Sequence, residues 1–454
     1  MSDNPSRDSG STSPAVGSVT ATSRGYRLHA IKSSASSFKT RLLAASAILL
    51  GDRRVLWSLV GIMAVRRAVA ELPVFLPPGA DAYEIVSSAR QALSDPGGIY
   101  VKSAALIASG YEWTVTAPPP GILIAVPFSL LPGPADVWLW TATNALMSAL
   151  GLYWLYRALG PRLRWTLPAF ILIVLLFTPL FEDIRLGQRG GPLVLLGGAS
   201  MLTVRRHPAL AGALTGLSTS IKFYPAAMAL SVSPRQWMRF TGALIAVTAT
   251  VLTVTFIPFG NPLVYLTGVL IPVLLGNPAW NSDCFQNSTP LLFSRLVGGA
   301  PYSVESASAV WTNVTLVPWH LPWLATGLTY LTISALFVST VWAARRSGWA
   351  QPYSMSLAFS LGTLVPGHVY TYQFIAMLPL TMVLVLKAIE RRRWGTVAIV
   401  GAALYLLVSS PCALVFPGLW TIAGLAIFVA AVAKAQLFRE AATPVEPDHV
   451  QPSG

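Results

Sequence analysis

A chain of 454 residues that is 54% hydrophobic and only 11% charged, with a mean hydropathy of +0.60, is too apolar for a soluble domain of its size. It reads as an all-α polytopic membrane protein. A net charge of +14 would point to nucleic acid in a soluble chain, but here Lys and Arg fall in short runs between apolar segments, which is how a membrane protein sets its orientation, so no nucleic-acid partner is expected.

Residues 1–40 are rich in Ser, Thr and Gly with scattered basic residues, and read as a disordered cytoplasmic tail rather than a cleavable signal; residues 440–454 are its counterpart. Between them, 41–439 form the transmembrane domain. The first span is expected at 55–75, after Arg41, Arg53 and Arg54, which places the amino terminus in the cytoplasm and the segment after the span outside. Arg66 and Arg67 inside this span either face the helix bundle or mean that it begins later.

The stretch 77–135 is then a first outer loop. It concentrates Asp81, Glu84, Asp95 and Glu112, four of only 17 acidic residues, beside Tyr83, Tyr100, Tyr111 and Trp113. The apolar run 121–131 is too short to cross and is bracketed by Pro-Pro-Pro-Gly and Leu-Pro-Gly-Pro, so it should lie along or dip into the interface. Spans are expected at 137–156, ending at Arg157, Arg162 and Arg164, and at 165–181, which leads to the outer segment Glu-Asp-Ile-Arg-Leu-Gly-Gln-Arg-Gly-Gly. A further span at 192–204 returns to Arg205 and Arg206.

Residues 208–232 would span once, yet both flanks are basic. A hairpin broken near Lys222-Phe223-Tyr224-Pro225 resolves the conflict, because proline disfavours helix at the residue before it, and it puts Lys222 at the outward apex. Spans at 242–257, 321–343, 355–365, 374–386, 397–408 and 419–432 complete the walk. A second large outer loop covers 258–318, and Gly367-His368-Val369-Tyr370 forms a short one. In all, about 11–12 helices are expected, with the rare polar residues gathered on one side. Ionisable groups held at membrane depth are functional candidates, since hiding an unpaired charge from water is costly.

Several short elements occur in order: Asp81-x-Tyr83, Gly98-Ile99-Tyr100, Ala117-Pro-Pro-Pro-Gly121, Pro127-Phe-x-Leu-Leu-Pro132, Leu186-Gly-Gln188, Ala211-Gly-x-Leu with Ile221-Lys222-x-x-Pro225, and Asn287-Ser288 ahead of Arg295. This set resembles the actinobacterial membrane-embedded glycosyltransferases of the C superfamily, specifically the family 87 group of mannosyl- and arabinofuranosyltransferases that use polyprenyl-phosphate sugars. The resemblance runs from about residue 55 to residue 386. It departs from the family at Arg189-Gly-Gly, where Asn often follows Leu-Gly-Gln, and at Gln286-Asn287-Ser288, which stands for Asn-Gln-Ser; these bear on the sugar more than on the reaction.

The resemblance implies an inverting transfer at the outer face of the plasma membrane, from a lipid-linked donor in the bilayer to a cell-envelope glycolipid or polysaccharide, with Asp81 as the base. Asp81 would equally serve as an N-cap for a helix over 82–93. Lys222, Arg185, Arg189, Arg295 and His368 are the candidates for holding the phosphate. Against that, Lys222 fits a snorkelling lysine, Arg185 and Arg295 fit pairs with Glu182, Asp183 or Asp283, and His368 fits an interfacial histidine. Tyr83, Tyr100, Glu112, Gln188, Asn287, Tyr370 and Tyr372 are the sugar and acceptor candidates; for the tyrosines an interfacial aromatic belt is the alternative.

No cofactor is expected beyond the lipid-linked sugar substrate, and no metal: zinc spacing, a phosphate-cradling glycine loop and a nucleophile elbow are all absent from the sequence. Cys284 and Cys412 allow at most one disulfide. A transporter would account for broken helices and buried charges as well, but it predicts internal repeats, which the sequence does not show.

Overall fold

The computed structural model describes residues 52–71, 79–110, 114–159, 167–275, 286–305, 311–349, 352–367, 369–408 and 418–439. The chain divides into two units, Met1–Asp52 and Arg53–Gly454, and the helices and strands among the described residues belong to the second. Both expected tails, Glu112, His368, Cys284 and Cys412 lie outside the described residues.

Helix α1 covers Arg53–Glu71. The segment expected as the first outer loop is largely helical: it folds into α2 (Ala80–Ser94) and α3 (Gly98–Ala108), followed by the short helices α4 (Pro119–Leu123) and α5 (Val126–Ser129). One face of α2 carries Ala82, Ile85, Val86 and Ala89, spaced at three and four residues, and buries them against Ile99, Tyr100, Ile122 and Trp140. The run 121–131, expected not to cross, makes the two short helices, and Ile122 and Ala125 sit in this same core. An ion pair between Arg90 and Asp136 ties α2 to the start of α6 (Ala135–Ala158).

The expected span at 165–181 is broken. Helices α7 (Leu167–Leu176) and α8 (Thr178–Leu186) meet at a 59° bend around Phe177. Pro179 causes it, because its ring nitrogen has no hydrogen to offer the Leu175 carbonyl four residues back. Arg67 of α1 supplies that bond instead, donating from Nε to the Leu175 oxygen at 2.8 Å and from Nη2 to Thr178 Oγ1 at 3.0 Å. The Arg67 guanidinium also lies 4.4 Å from the Phe181 ring centroid. Arg67 thus faces the bundle, whereas Arg66 is exposed.

Helix α8 continues through Glu182, Asp183 and Arg185, residues expected in an outer loop, and stops at Gly187. Helix α9 (Gly190–Thr203) starts three residues later and packs along α6 and α10 (Pro208–Ile221). The expected hairpin break appears at Lys222, which is extended between α10 and a 3-10 helix over Tyr224–Ser231.

Helix α11 runs from Pro234 to Phe259, longer than the apolar stretch 242–257 because Arg235 and Arg239 are accommodated in its first turns. Far from being one open loop, 258–318 contains the helical run α12 (Pro262–Leu275), α13 (Thr289–Leu296) and an antiparallel pair of strands, β1 (Tyr302–Glu305) and β2 (Trp311–Val314). The described residues are therefore helical with one antiparallel pair of short strands. Helix α14 (Pro322–Arg346), the short helices Tyr353–Phe359 and Leu361–Leu364, the run Thr371–Glu390, α15 (Trp394–Val408) and α16 (Leu419–Ala433) complete the chain order.

Among the described residues, Pro234–Phe259, Pro322–Arg346 and Thr371–Glu390 are long and apolar enough to cross a membrane, with the bent α7–α8 pair a fourth if taken as one span. The expected 11–12 crossings counted the shorter apolar helices as well. Thr371–Glu390 is packed almost wholly inside the bundle, while α11 and α14 leave most of their surfaces uncovered. An uncovered apolar helix of this length is stable in lipid, where no hydrophobic penalty attaches to its outer face.

Candidate active site

Helices α2 and α8 approach so closely that only small residues fit between them. The Gly79 amide donates to the Arg185 carbonyl at 3.0 Å, and a Cβ on Gly79 would lie 2.7 Å from that oxygen. Gly187 ends α8 at φ +68, the left-handed region that favours glycine, and a Cβ there would come within 2.4 Å of the Ala82 Cβ. Trp140, fully buried, donates from Nε1 to the Gly187 carbonyl at 2.6 Å. The turn is thus gripped from two sides, and its next residue, Gln188, donates from Nε2 to Asp81 Oδ2 at 2.6 Å.

Asp81 itself lies in the first turn of α2. The residue before the helix is Gly79, and no side chain caps it, so the N-cap reading of Asp81 does not describe its position. Its carboxylate is half-buried and faces a cavity of about 950 Å³. Burial pushes its pKa above the ordinary carboxylate range, opposed by the Gln188 hydrogen bond and the charges of Arg189, Lys222 and Arg185. A carboxylate with a raised pKa is a stronger proton acceptor when ionised.

Six other candidates line the same cavity: Arg185, Gln188, Arg189, Lys222, Tyr370 and Tyr372. Arg185 is paired with Glu182, Nη2 to Oε2 at 2.5 Å, so its charge is largely spoken for. Arg189 donates from Nε to the Gly121 carbonyl at 2.6 Å, which anchors the guanidinium to the wall built by α4. Lys222 reaches the cavity from the break after α10, its ammonium 5.3 Å from the Tyr372 ring centroid. Tyr370 and Tyr372 stack on each other at 5.7 Å and 12°.

The cavity lining is of two chemical kinds. Asp81, Glu84, Gln188, Arg189 and Lys222 are polar; Ala227, Leu230, Val273, Leu274, Ile333 and Phe337, from the 3-10 helix, α12 and α14, are apolar. Polar and apolar surfaces lining one space suit an amphiphile, and Arg189 and Lys222 offer positive charge to its head.

The structure places the remaining described candidates elsewhere. Tyr83 is 45% exposed and Tyr100 is 2% exposed, and neither lines the cavity. Tyr100 stands behind the wall, its hydroxyl donating to the Ala117 carbonyl at 2.8 Å, while Tyr265 OH donates to the neighbouring Thr116 carbonyl at 3.2 Å. These two rings hold the segment 114–118 that closes the cavity. Arg295 is 1% exposed, donates from Nη1 to the Gln286 carbonyl at 3.0 Å and lies over the Tyr302 ring. Asn287, also buried, gives its amide to the Val369 carbonyl at 2.7 Å, bracing the strand-like stretch that carries Tyr370.

Three contributors escaped the sequence reading of the site. Glu84 lies one turn beyond Asp81 on the same helix and lines the cavity. Gly79 allows the contact with α8. Asn144, 0% exposed in the middle of α6, bonds to Asp183 and to the Gly191 amide. The available signal for Asn144 was an amide side chain in the centre of an otherwise apolar helix, which is costly unless it is bonded.

No curated protein matches the chain. A family model does: glycosyltransferase family 87, over residues 116–365, or 250 of the 454 residues. The match takes in Arg185, Gln188, Arg189 and Lys222, while Asp81, Tyr370 and Tyr372 lie beyond its ends. A match over more than half the chain shows that this protein belongs to glycosyltransferase family 87.

Proposed function

We propose that the protein is an integral plasma-membrane glycosyltransferase that moves mannose from a polyprenyl-phosphate donor to a glycolipid or polysaccharide acceptor of the cell envelope. The active site faces outward, both termini are cytoplasmic, and arabinofuranose is the alternative sugar. Family membership carries the transferase activity; the polyprenyl-phosphate donor, the sugar and the orientation rest on the sequence resemblance and the positive-inside pattern.

The observation that supports the reading best is that one cavity is lined both by Asp81, Arg189 and Lys222 and by apolar side chains of the 3-10 helix, α12 and α14. A polyprenyl phosphate sugar has a single anionic phosphodiester between a sugar and a hydrocarbon chain. Its chain fits the apolar lining, its phosphate falls to Lys222 and Arg189, and its sugar lies toward Asp81 and the Tyr370–Tyr372 stack. The acceptor hydroxyl attacks the anomeric carbon as Asp81 takes its proton. The bond from that carbon to the phosphate oxygen breaks, and polyprenyl phosphate leaves with the electron pair, its charge met by the two cations. A single displacement inverts the anomeric centre.

The test is direct. Purified full-length protein in liposomes is given radiolabelled polyprenyl-phosphate mannose and, separately, the arabinofuranose donor, together with cell-envelope glycolipid. Label moving to the acceptor from mannose donor, and lost on Asp81→Asn, is the expected result. Transfer only from a nucleotide sugar would overturn the donor assignment.

A further inference from the structure

Asp183 and Asn144 lie outside the cavity, and both are buried, at 1% and 0% exposure. Among the described residues, their side-chain hydrogen bonds lead to each other or to the turn that carries Gln188 and Arg189. Asp183 Oδ1 accepts the Gly190 amide at 3.1 Å, and the Asp183 main-chain carbonyl accepts the Gln188 amide at 2.9 Å. Asn144 donates from Nδ2 to Asp183 Oδ2 at 3.2 Å and accepts the Gly191 amide on Oδ1 at 2.8 Å.

The fit is tight enough to require both glycines. A Cβ on Gly190 would stand 2.4 Å from the Asp183 carboxylate oxygens, and one on Gly191 would stand 2.3 Å from Asn144 Oδ1. Together the two side chains satisfy the first amides of α9, which otherwise have no partner within their helix. A serine or threonine would cap that end without the cost of burying a carboxylate. What the carboxylate adds is a two-point grip, one oxygen on the backbone and one on Asn144, and a charge of the sign that attracts Lys222.

We propose that Asp183 and Asn144 are a reciprocal pair of positioning residues for the transfer reaction, whose clamp on Gly190 and Gly191 holds Gln188 against Asp81 and Arg189 against the Gly121 carbonyl. The effect on transfer rests on the reading of Asp81 as the base; the clamp itself does not. Neither residue lines the cavity, so neither touches the substrate, and the clamp acts through the turn.

Exchanging the two side chains tests it. Asp183→Asn alone sets an amide nitrogen against the Asn144 amide nitrogen, two donors with no acceptor. Asn144→Asp alone sets two carboxylates face to face. The double exchange, Asp183→Asn with Asn144→Asp, restores one donor and one acceptor between the positions and keeps an acceptor for each glycine amide. For full-length protein in lipid nanodiscs, kcat should fall at least about tenfold in each single variant with KM for the polyprenyl-phosphate sugar changed by less than about threefold, and recover most of the loss in the double exchange.

Hydrogen exchange of the segment 187–191 reads the clamp without any substrate: faster in each single variant, slow again in the double exchange. If the wild-type protein transfers no sugar, the functional reading fails, and this exchange pattern still decides the clamp. Single variants with wild-type kcat and wild-type amide protection would overturn the proposal. So would a double exchange that regains the melting temperature and the protection but not kcat.

Discussion

Gln188 donates a hydrogen bond from Nε2 to Asp81 Oδ2 across 2.6 Å, joining two residues 107 apart in the chain. This contact and burial act on the carboxylate in opposite directions: burial raises its pKa, and the Gln188 bond lowers it by favouring the anion. Gln188→Leu removes only the lowering effect, so the acid limb of the rate profile moves to higher pH. The base is also less well held, and kcat at neutral pH falls about tenfold, near the lower end of what a lost bond to a charged group costs. A pH–rate profile of the variant with an unmoved acid limb would argue against Asp81 as the titrating base.

Asp81→Asn abolishes proton acceptance while keeping the side chain's shape. Transfer should drop by about a thousandfold, within the range for loss of a general base. Stability responds the other way. A carboxyl whose folded pKa lies above its unfolded value favours the folded state at low pH, and that contribution is lost as pH rises through the folded value. At neutral pH the ionised group is a burden on the fold, so the melting temperature of the variant equals or exceeds that of the wild type there. The difference shrinks as pH falls. Melts of both proteins at neutral and acidic pH, run beside the transfer assay, check both halves.

Arg67 replaces an amide that Pro179 lacks, since its Nε bonds the Leu175 carbonyl left open at the bend. Arg67→Leu orphans that carbonyl, and the cost should be about 1–3 kcal/mol, the usual penalty for a buried acceptor without a donor. Pro179→Ala returns an amide to the same carbonyl, so the double variant regains much of the lost stability. Because the returned amide also straightens the α7–α8 bend, transfer should stay low in the double variant. Melting temperature and kcat measured on the same four proteins separate the two effects.

Gly187→Ala meets two obstacles. The backbone at φ +68 costs an L-residue about 1–2 kcal/mol, and the new methyl would press on Ala82, 2.4 Å away, in the helix that carries Asp81. The structure relieves such a clash by moving α2 from α8. Loss of transfer should therefore exceed what the change in melting temperature accounts for, with the donor KM altered less than kcat.

Several features were legible in the residues. Pro225 marked a break within Lys222–Pro225, and the structure has Lys222 extended three residues before it, while Tyr224, directly before the proline, opens the 3-10 helix. The short run 121–131, framed by prolines, makes two short helices of five and four residues. Other positions were not. Tyr100 and Tyr370 look alike as tyrosines in polar segments, yet one is locked behind the wall by Ala117 and the other lines the cavity. Arg295 resembles Arg189 in the same way, but it turns inward to the Gln286 carbonyl. The break at Pro179 interrupts a stretch expected as one span over 165–181, and the arginine that serves it comes from a different helix.

The sequence by itself determined the membrane class and the break near Lys222, because these depend on local quantities: the hydropathy of a stretch and the conformational bias of a proline. Family membership was legible for a similar reason, as short elements in order. Only the tertiary structure decided which scarce polar side chains share a cavity. That depends on the close approach of Gly79 to Arg185 and of Ala82 to Gly187, contacts between segments about a hundred residues apart, and no local property of either segment encodes the distance between them.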